Sequence, residues 1–169
     1  MSRRDELAAN LASVQSRITN PNVTLIVVTK TYPVSDVQIL SELGITHFGE
    51  NRNEEGLEKS SLIDATWHYQ GEIQSRKLRD IAQWANVIHS LDTASHIAKL
   101  DSVATSSIDV FLQLSLDGDP SRGGVIESDL PVLADSVLAS SHLNLMGLMC
   151  DFDVGAHTQR KCAMNRAHY

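Results

Sequence analysis

Leu7, Leu11, Val14 and Ile18 recur three or four positions apart in a polar opening segment, which predicts an amphipathic helix over residues 2 to about 19. Asn20, Pro21 and Asn22 end it, because proline cannot continue a helix and disfavours helical geometry in the residue before it. Residues 24–29 then form an unbroken β-branched and apolar run. The lack of alternation predicts a strand covered on both faces, as in a parallel sheet. Tyr32, Pro33, Val34 and Ser35 open a second helix carrying Val37, Leu40 and Leu43, with Gly44 where a C-terminal cap belongs.

The strand-then-helix unit recurs. Further strands are predicted over residues 45–48, 66–69, 87–90, 109–116 and 143–149. The helices between them run over 53–60 through Leu57, 75–84 through Leu78 and Ile81, 93–103 through Ile97 and Leu100, and 128–139 through Leu130, Val132, Leu133 and Val137. This alternation is the pattern of a parallel α/β fold. A doubly wound open sheet and a (β/α) barrel both satisfy it, but no G-x-G-x-x-G follows any strand, which removes the usual dinucleotide sign of the first. A full barrel takes eight units and at least about 200 residues. Six units in 169 residues imply an incomplete one. After Cys150 no strand-like run or clear amphipathic stripe follows, so the chain divides into a partial barrel over 1–150 and a tail over 151–169.

Composition narrows the function. Apolar residues make up 42% of the chain, and no stretch approaches the roughly 20 consecutive apolar residues of a bilayer span. The opening residues lack the apolar run of a secretory signal, and Cys150 and Cys162 fit no disulfide framework or zinc spacing. The expectation is a soluble, cytoplasmic protein. A net charge of −7 and a pI near 5.4 argue against a general nucleic-acid binder, which needs a basic face. One phosphate held by backbone N–H groups at a helix start remains compatible with that charge.

Lys30, directly after the first apolar strand, is the strongest local feature, because ligands of parallel α/β folds bind at the carboxyl ends of strands. A lysine amine becomes nucleophilic once desolvation or cationic neighbours lower its pKa, and it then condenses with aldehydes. Standing alone, a lysine there is more often a solvated strand-end residue. Polar or small residues repeat at the same end of later strands: Gly49, Glu50 and Asn51; Gln70 and Gly71; His89 and Ser90; Gly147 and Met149. His47, Glu50, His68 and His89 lack the spacing of a metal site, so packing or hydrogen bonding is the expectation for them. Phe48, Trp67 and Tyr69 read as core, and Arg76, Lys77 and Arg79 as a solvated helix face. Asp117, Asp119 and Glu127 flank a glycine-rich loop without calcium-loop spacing.

Taken together, Val28-Thr29-Lys30-Thr31 with Pro33, Phe48-Gly49-Glu50-Asn51, Trp67-His68-Tyr69-Gln70-Gly71, Ile73-Gln74-Ser75-Arg76-Lys77 and Gly147-Leu148-Met149 resemble, in order and spacing, the pyridoxal-phosphate homeostasis proteins. Each motif is weak alone. The ordered set is specific, and it runs from about residue 5 to Cys150. The resemblance implies a (β/α) barrel of the alanine racemase N-terminal domain type, with pyridoxal 5′-phosphate held as a Schiff base on Lys30 and no established turnover. It implies that Asn51 and Met149 lie beside the cofactor ring and that Arg122 sits in a loop near the site mouth. It further implies buffering or delivery of the cofactor, with pyridoxal-phosphate-dependent apoenzymes as recipients, and a monomeric family.

The departure from the family counts as well. The family's seventh strand carries Met-Ser-x-Asp and its eighth carries Arg-x-Gly-(Thr/Ser)-x-x-Phe-Gly, segments that supply most of its phosphate contacts. Neither occurs here, so the chain looks truncated. Unpaired sheet edges then predict reduced stability or self-association. Three functions follow: a non-catalytic cofactor carrier; an amino-acid racemase or decarboxylase of the same fold class, for which the chain has no room for the second domain such enzymes use; or a remnant with weak or no cofactor binding.

Overall fold

The computed structural model describes residues 1–116, 118 and 123–150. Helix α1 spans Arg3–Gln15, β1 Val27–Val28, α2 Val34–Glu42, β2 His47–Glu50, α3 Asn53–Leu62 and β3 Thr66–Tyr69. A 3-10 turn at Ser75–Lys77 leads into α4 (Leu78–Ile81), followed by β4 (Val87–Leu91), α5 (Ala94–Val103) and β5 (Ile108–Gln113). A second 3-10 turn at Glu127–Asp129 leads into α6 (Leu130–Leu138), and β6 covers Leu143–Met149.

All six strands are parallel and lie in sequence order, each hydrogen-bonded to the one before it. Consecutive helices also touch, α1 with α2 and then α3 through α6 in turn. This is the architecture of an incomplete (β/α) barrel, the fold class expected from the sequence. The core fills the layer between strands and helices, where Phe48, Trp67, Ile88, Ile108, Val110 and Leu112 from the sheet meet Val37, Leu78, Ile81, Ile97, Leu100 and Val137 from the helices. Each such side chain contributes roughly 1.5–3 kcal/mol on burial. The opposite face of the sheet is the barrel lumen.

Three differences from the sequence reading have physical causes. Helix α1 ends at Gln15, before Pro21 acts, because its last turn tightens: the Arg17 amide donates to the Val14 carbonyl at 3.1 Å and Ile18 to Gln15 at 3.0 Å. At the other end Ser2 and Asp5 form a capping box, with the Asp5 amide donating to Ser2 Oγ and the Ser2 amide to Asp5 Oδ2. Strand β1 keeps only two of its expected residues, since Val27 already aligns with Phe48 and the upstream residues 24–25 overrun the start of β2. It is also not covered on both faces, for Val28 is 43% exposed on the lumen side.

The face of α3 is the third. Leu57, expected to anchor this helix, is 43% exposed; the buried positions are Asn53, Gly56 and Lys59. Gly56 gives way to Trp84, whose ring lies 2.2 Å from where a Cβ would stand and whose Nε1 donates to Asn53 Oδ1 at 3.0 Å. Lys59 is held by charge instead of by apolar contact. The tail expected over 151–169 lies outside the described residues.

Candidate functional site

Thr29 fixes the end of β1. Its amide donates to the Gly49 carbonyl at 2.9 Å, and its hydroxyl donates to Glu50 Oε1 at 2.6 Å on the helix side of the sheet. Lys30 stands two residues past Val28, in the turn that leads from the carboxyl end of β1 toward α2. Lys30 is exposed, and its amine has no hydrogen-bond or ion-pair partner among the described residues. Asn51 follows Glu50 on the neighbouring strand, so the two residues leave adjacent strand ends on one rim. Gly71 packs on it so closely that a Cβ there would lie 2.3 Å from the Asn51 carbonyl oxygen. At Gly49 a Cβ would stand 2.9 Å from Gln70 Oε1 and 3.2 Å from Val28, so glycine keeps this wall beside Lys30 thin.

Below the rim a row of imidazoles crosses the lumen. His47 Nδ1 lies 2.9 Å from His68 Nε2, and His68 Nδ1 lies 2.8 Å from His89 Nε2. His89 in turn stacks on Phe111, with ring centroids 4.7 Å apart and planes 7° from parallel. Burial, helped by the neighbouring rings, pushes His68 down to about 3, and burial pushes His89 down to about 4. Both rings are neutral near pH 7, each able to donate from one nitrogen and accept on the other. This agrees with the reading of these residues as hydrogen-bonding groups. Among the described residues no cluster of three or more His, Cys, Asp or Glu side chains is arranged to hold a metal ion.

Met149 ends β6, aligned with Gln113, so it occupies the carboxyl end of its strand as expected. It stands at the opposite edge of the sheet from Lys30, with four strands between them. Arg122 lies outside the described residues, while nearby Gly124 donates its amide to Asp92 Oδ2 at 3.1 Å. A groove of about 370 Å³ opens elsewhere, between α1 and β1, lined by Leu7, Leu11, Leu25 and Leu40; Lys30 does not line it.

Sequence reasoning missed a buried ionic cluster on the helix side, directly behind Lys30. Lys59 donates to Glu50 Oε1 at 2.6 Å, to the Thr29 carbonyl at 2.7 Å and to Glu55 Oε2 at 3.2 Å, which uses all three of its N–H bonds. Its side chain is 3% exposed and that of Glu50 is fully buried. Glu55 Oε2 also accepts the Thr31 amide at 2.7 Å. Burial opposes ionisation of Glu55, but Thr31 and Lys59 more than offset it, and the carboxyl sits below its ordinary range. The available signal was the four-residue spacing of Glu55 and Lys59, which puts both on one helix face. Of the two lysines at this strand end, only Lys30 has an uncommitted amine.

A sequence model of the alanine racemase N-terminal domain matches residues 3–168. The pyridoxal phosphate homeostasis protein of Corynebacterium glutamicum is 42% identical over 140 residues, covering 76% of this chain and 63% of that protein. Its counterpart in Mycobacterium leprae is 34% identical over 181 residues, covering 87% of this chain and 70% of that protein. The chain thus spans between three fifths and three quarters of the length of these relatives. Among solved structures, PipY of Synechococcus elongatus with pyridoxal phosphate bound superposes with a TM-score of 0.80 at 32% identity, over 89% of this chain and 72% of that one.

Proposed function

The chain belongs to the alanine racemase N-terminal domain family, and on that premise we propose that it takes up pyridoxal 5′-phosphate on Lys30 and acts as a cofactor carrier rather than a catalyst. One observation carries the reading: the Lys30 amine is exposed and uncommitted at the carboxyl end of β1, while the nearby Lys59 is buried and fully bonded. Bound there, the cofactor would supply an aldehyde carbon able to condense with a primary amine, one water leaving. Lys30 provides that amine, with Asn51 beside it on the rim and Gly49 leaving room for a flat ring. The relatives named for pyridoxal phosphate homeostasis, and the PipY structure that holds the cofactor, support the same assignment.

In the described lumen the His68 and His89 rings bond to each other and stay neutral near pH 7. Delivery to pyridoxal-phosphate-dependent apoenzymes in the cytoplasm is the role this suits, and Met149 and Arg122 complete the proposed cofactor contacts. The test is borohydride reduction of the chain mixed with pyridoxal phosphate, followed by peptide mass mapping. The label belongs on Lys30 and disappears in Lys30→Ala. Label elsewhere, or none, overturns the proposal, and racemisation or decarboxylation of an added amino acid by the loaded chain would favour an enzyme.

A further inference from the structure

Thr31 has φ of 67°, the sole non-glycine residue in the left-handed region among the described residues. A β-branched residue rarely adopts this conformation, because its Cβ crowds the following carbonyl, so it persists only where the surroundings hold it. The holding groups are identifiable. Both peptide units that bracket Lys30 are bonded to one side-chain cluster. The carbonyl of the unit joining Thr29 to Lys30 accepts from Lys59 Nζ at 2.7 Å, and the N–H of the unit joining Lys30 to Thr31 donates to Glu55 Oε2 at 2.7 Å. Lys59 links the two anchors by its 3.2 Å contact with Glu55, and Glu50 fixes Lys59 in place at 2.6 Å.

Glu50 and the Thr29 carbonyl take two of the three Lys59 N–H bonds, and Glu55 takes the third. Glu55, partly exposed on α3, also accepts a backbone amide three residues beyond the end of β1. We propose that Glu55 and Lys59 are positioning residues for Lys30, holding Thr31 in its left-handed conformation so that the Lys30 amine is presented to the lumen. The inference rests on the reading of Lys30 as the cofactor-binding amine. Neither residue touches the cofactor in this scheme; they act through the main chain on either side of the reactive lysine.

Three variants test it: Glu55→Ala, which removes the acceptor; Glu55→Gln, which keeps an oxygen there; and Glu55→Ala with Thr31→Gly, since glycine enters the left-handed region unaided. In the cofactor-free chain, hydrogen exchange at the Thr31 amide should quicken about tenfold or more in Glu55→Ala, the factor that one hydrogen bond to a charged group sustains. Glu55→Gln should stay close to the parent. Borohydride-trapped pyridoxal phosphate on Lys30 should fall by a similar factor, about tenfold, in Glu55→Ala and recover in the double variant. Unchanged Thr31 exchange in Glu55→Ala overturns the inference, whatever the cofactor does. So does a loss of label that Thr31→Gly fails to restore, which would make Glu55 a support of the fold alone. Absence of label in the parent chain defeats the reading of Lys30 separately, and the exchange result then still decides whether Glu55 holds Thr31.

Discussion

His68 Nδ1 and His89 Nε2 are 2.8 Å apart in the barrel lumen, a distance that requires one ring to donate and the other to accept. Protonating both would set two cations against each other in a buried place.

The sign of the resulting pH dependence follows directly. Folding lowers His68 and His89 from 6.5 to about 3 and about 4, so between those values and 6.5 the unfolded chain binds more protons than the folded one. Stability is complete above the unfolded value and falls as pH drops through it, by about 2 kcal/mol from pH 7 to pH 5 for each ring kept neutral. Asp36, which Arg3 holds below its ordinary 3.8, is lost only at lower pH and does not enter this window. Urea midpoints at pH 7 and pH 5 should differ in the parent chain and converge when His68 and His89 are both replaced by Leu. Equal midpoints in the parent would mean that the rings are open to water.

Gly56→Ala opposes two effects of known size. Alanine gains about 1 kcal/mol over glycine in a helix interior. Its Cβ, however, would stand 2.2 Å from Trp84, a ring pinned by the Asn53 bond. Overpacking of that kind costs about 1–3 kcal/mol, so the net change should be a loss, read as a lower urea midpoint.

Lys59→Met strands the Glu50 carboxylate in the core, where its Oε2 already has no partner among the described residues. Breaking a buried pair on one side costs about 3–5 kcal/mol. Replacing both partners, Glu50→Leu with Lys59→Met, should return most of that loss, a comparison that chemical denaturation of the single and double variants provides.

Strand β6 has a neighbour on one side only among the described residues, and Met146 and Leu148 on it are 56% and 39% exposed. Met146 is the extra residue of a bulge, since Val110 aligns with Leu145 and Phe111 with Gly147. Exposed apolar edges recruit other strands. Sedimentation of the chain should show association that grows with concentration, and Leu148→Lys should suppress it. A monomer at all concentrations would contradict this.

The sheet was largely legible because its strands are mostly apolar on the helix-facing side and alternate with helical segments. Strand β6 keeps its predicted bounds, and Thr93 caps α5 by accepting the His96 amide. The strand-end positions of Lys30 and Asn51 were legible for a different reason: each follows closely on a short strand-like run. What escaped was polar burial. Hydropathy reads Leu57 as inward and Lys59 as outward, whereas the side of α3 facing β1 and β2 is occupied by an ion cluster that no apolar stripe announces. The left-handed turn at Thr31 was equally hidden, because threonine gives no warning of positive φ.

Because spatial order and chain order coincide in this sheet, every strand finds its neighbour already made. A nascent chain leaving the ribosome can therefore lay each βα unit against the last one without waiting for distant sequence, which keeps the entropy of loop closure small at every step. By the time α3 has emerged, β1, β2, Glu55 and Lys59 are all available. The lysine's surroundings would thus be assembled from the first 62 residues, well before the far edge of the sheet exists.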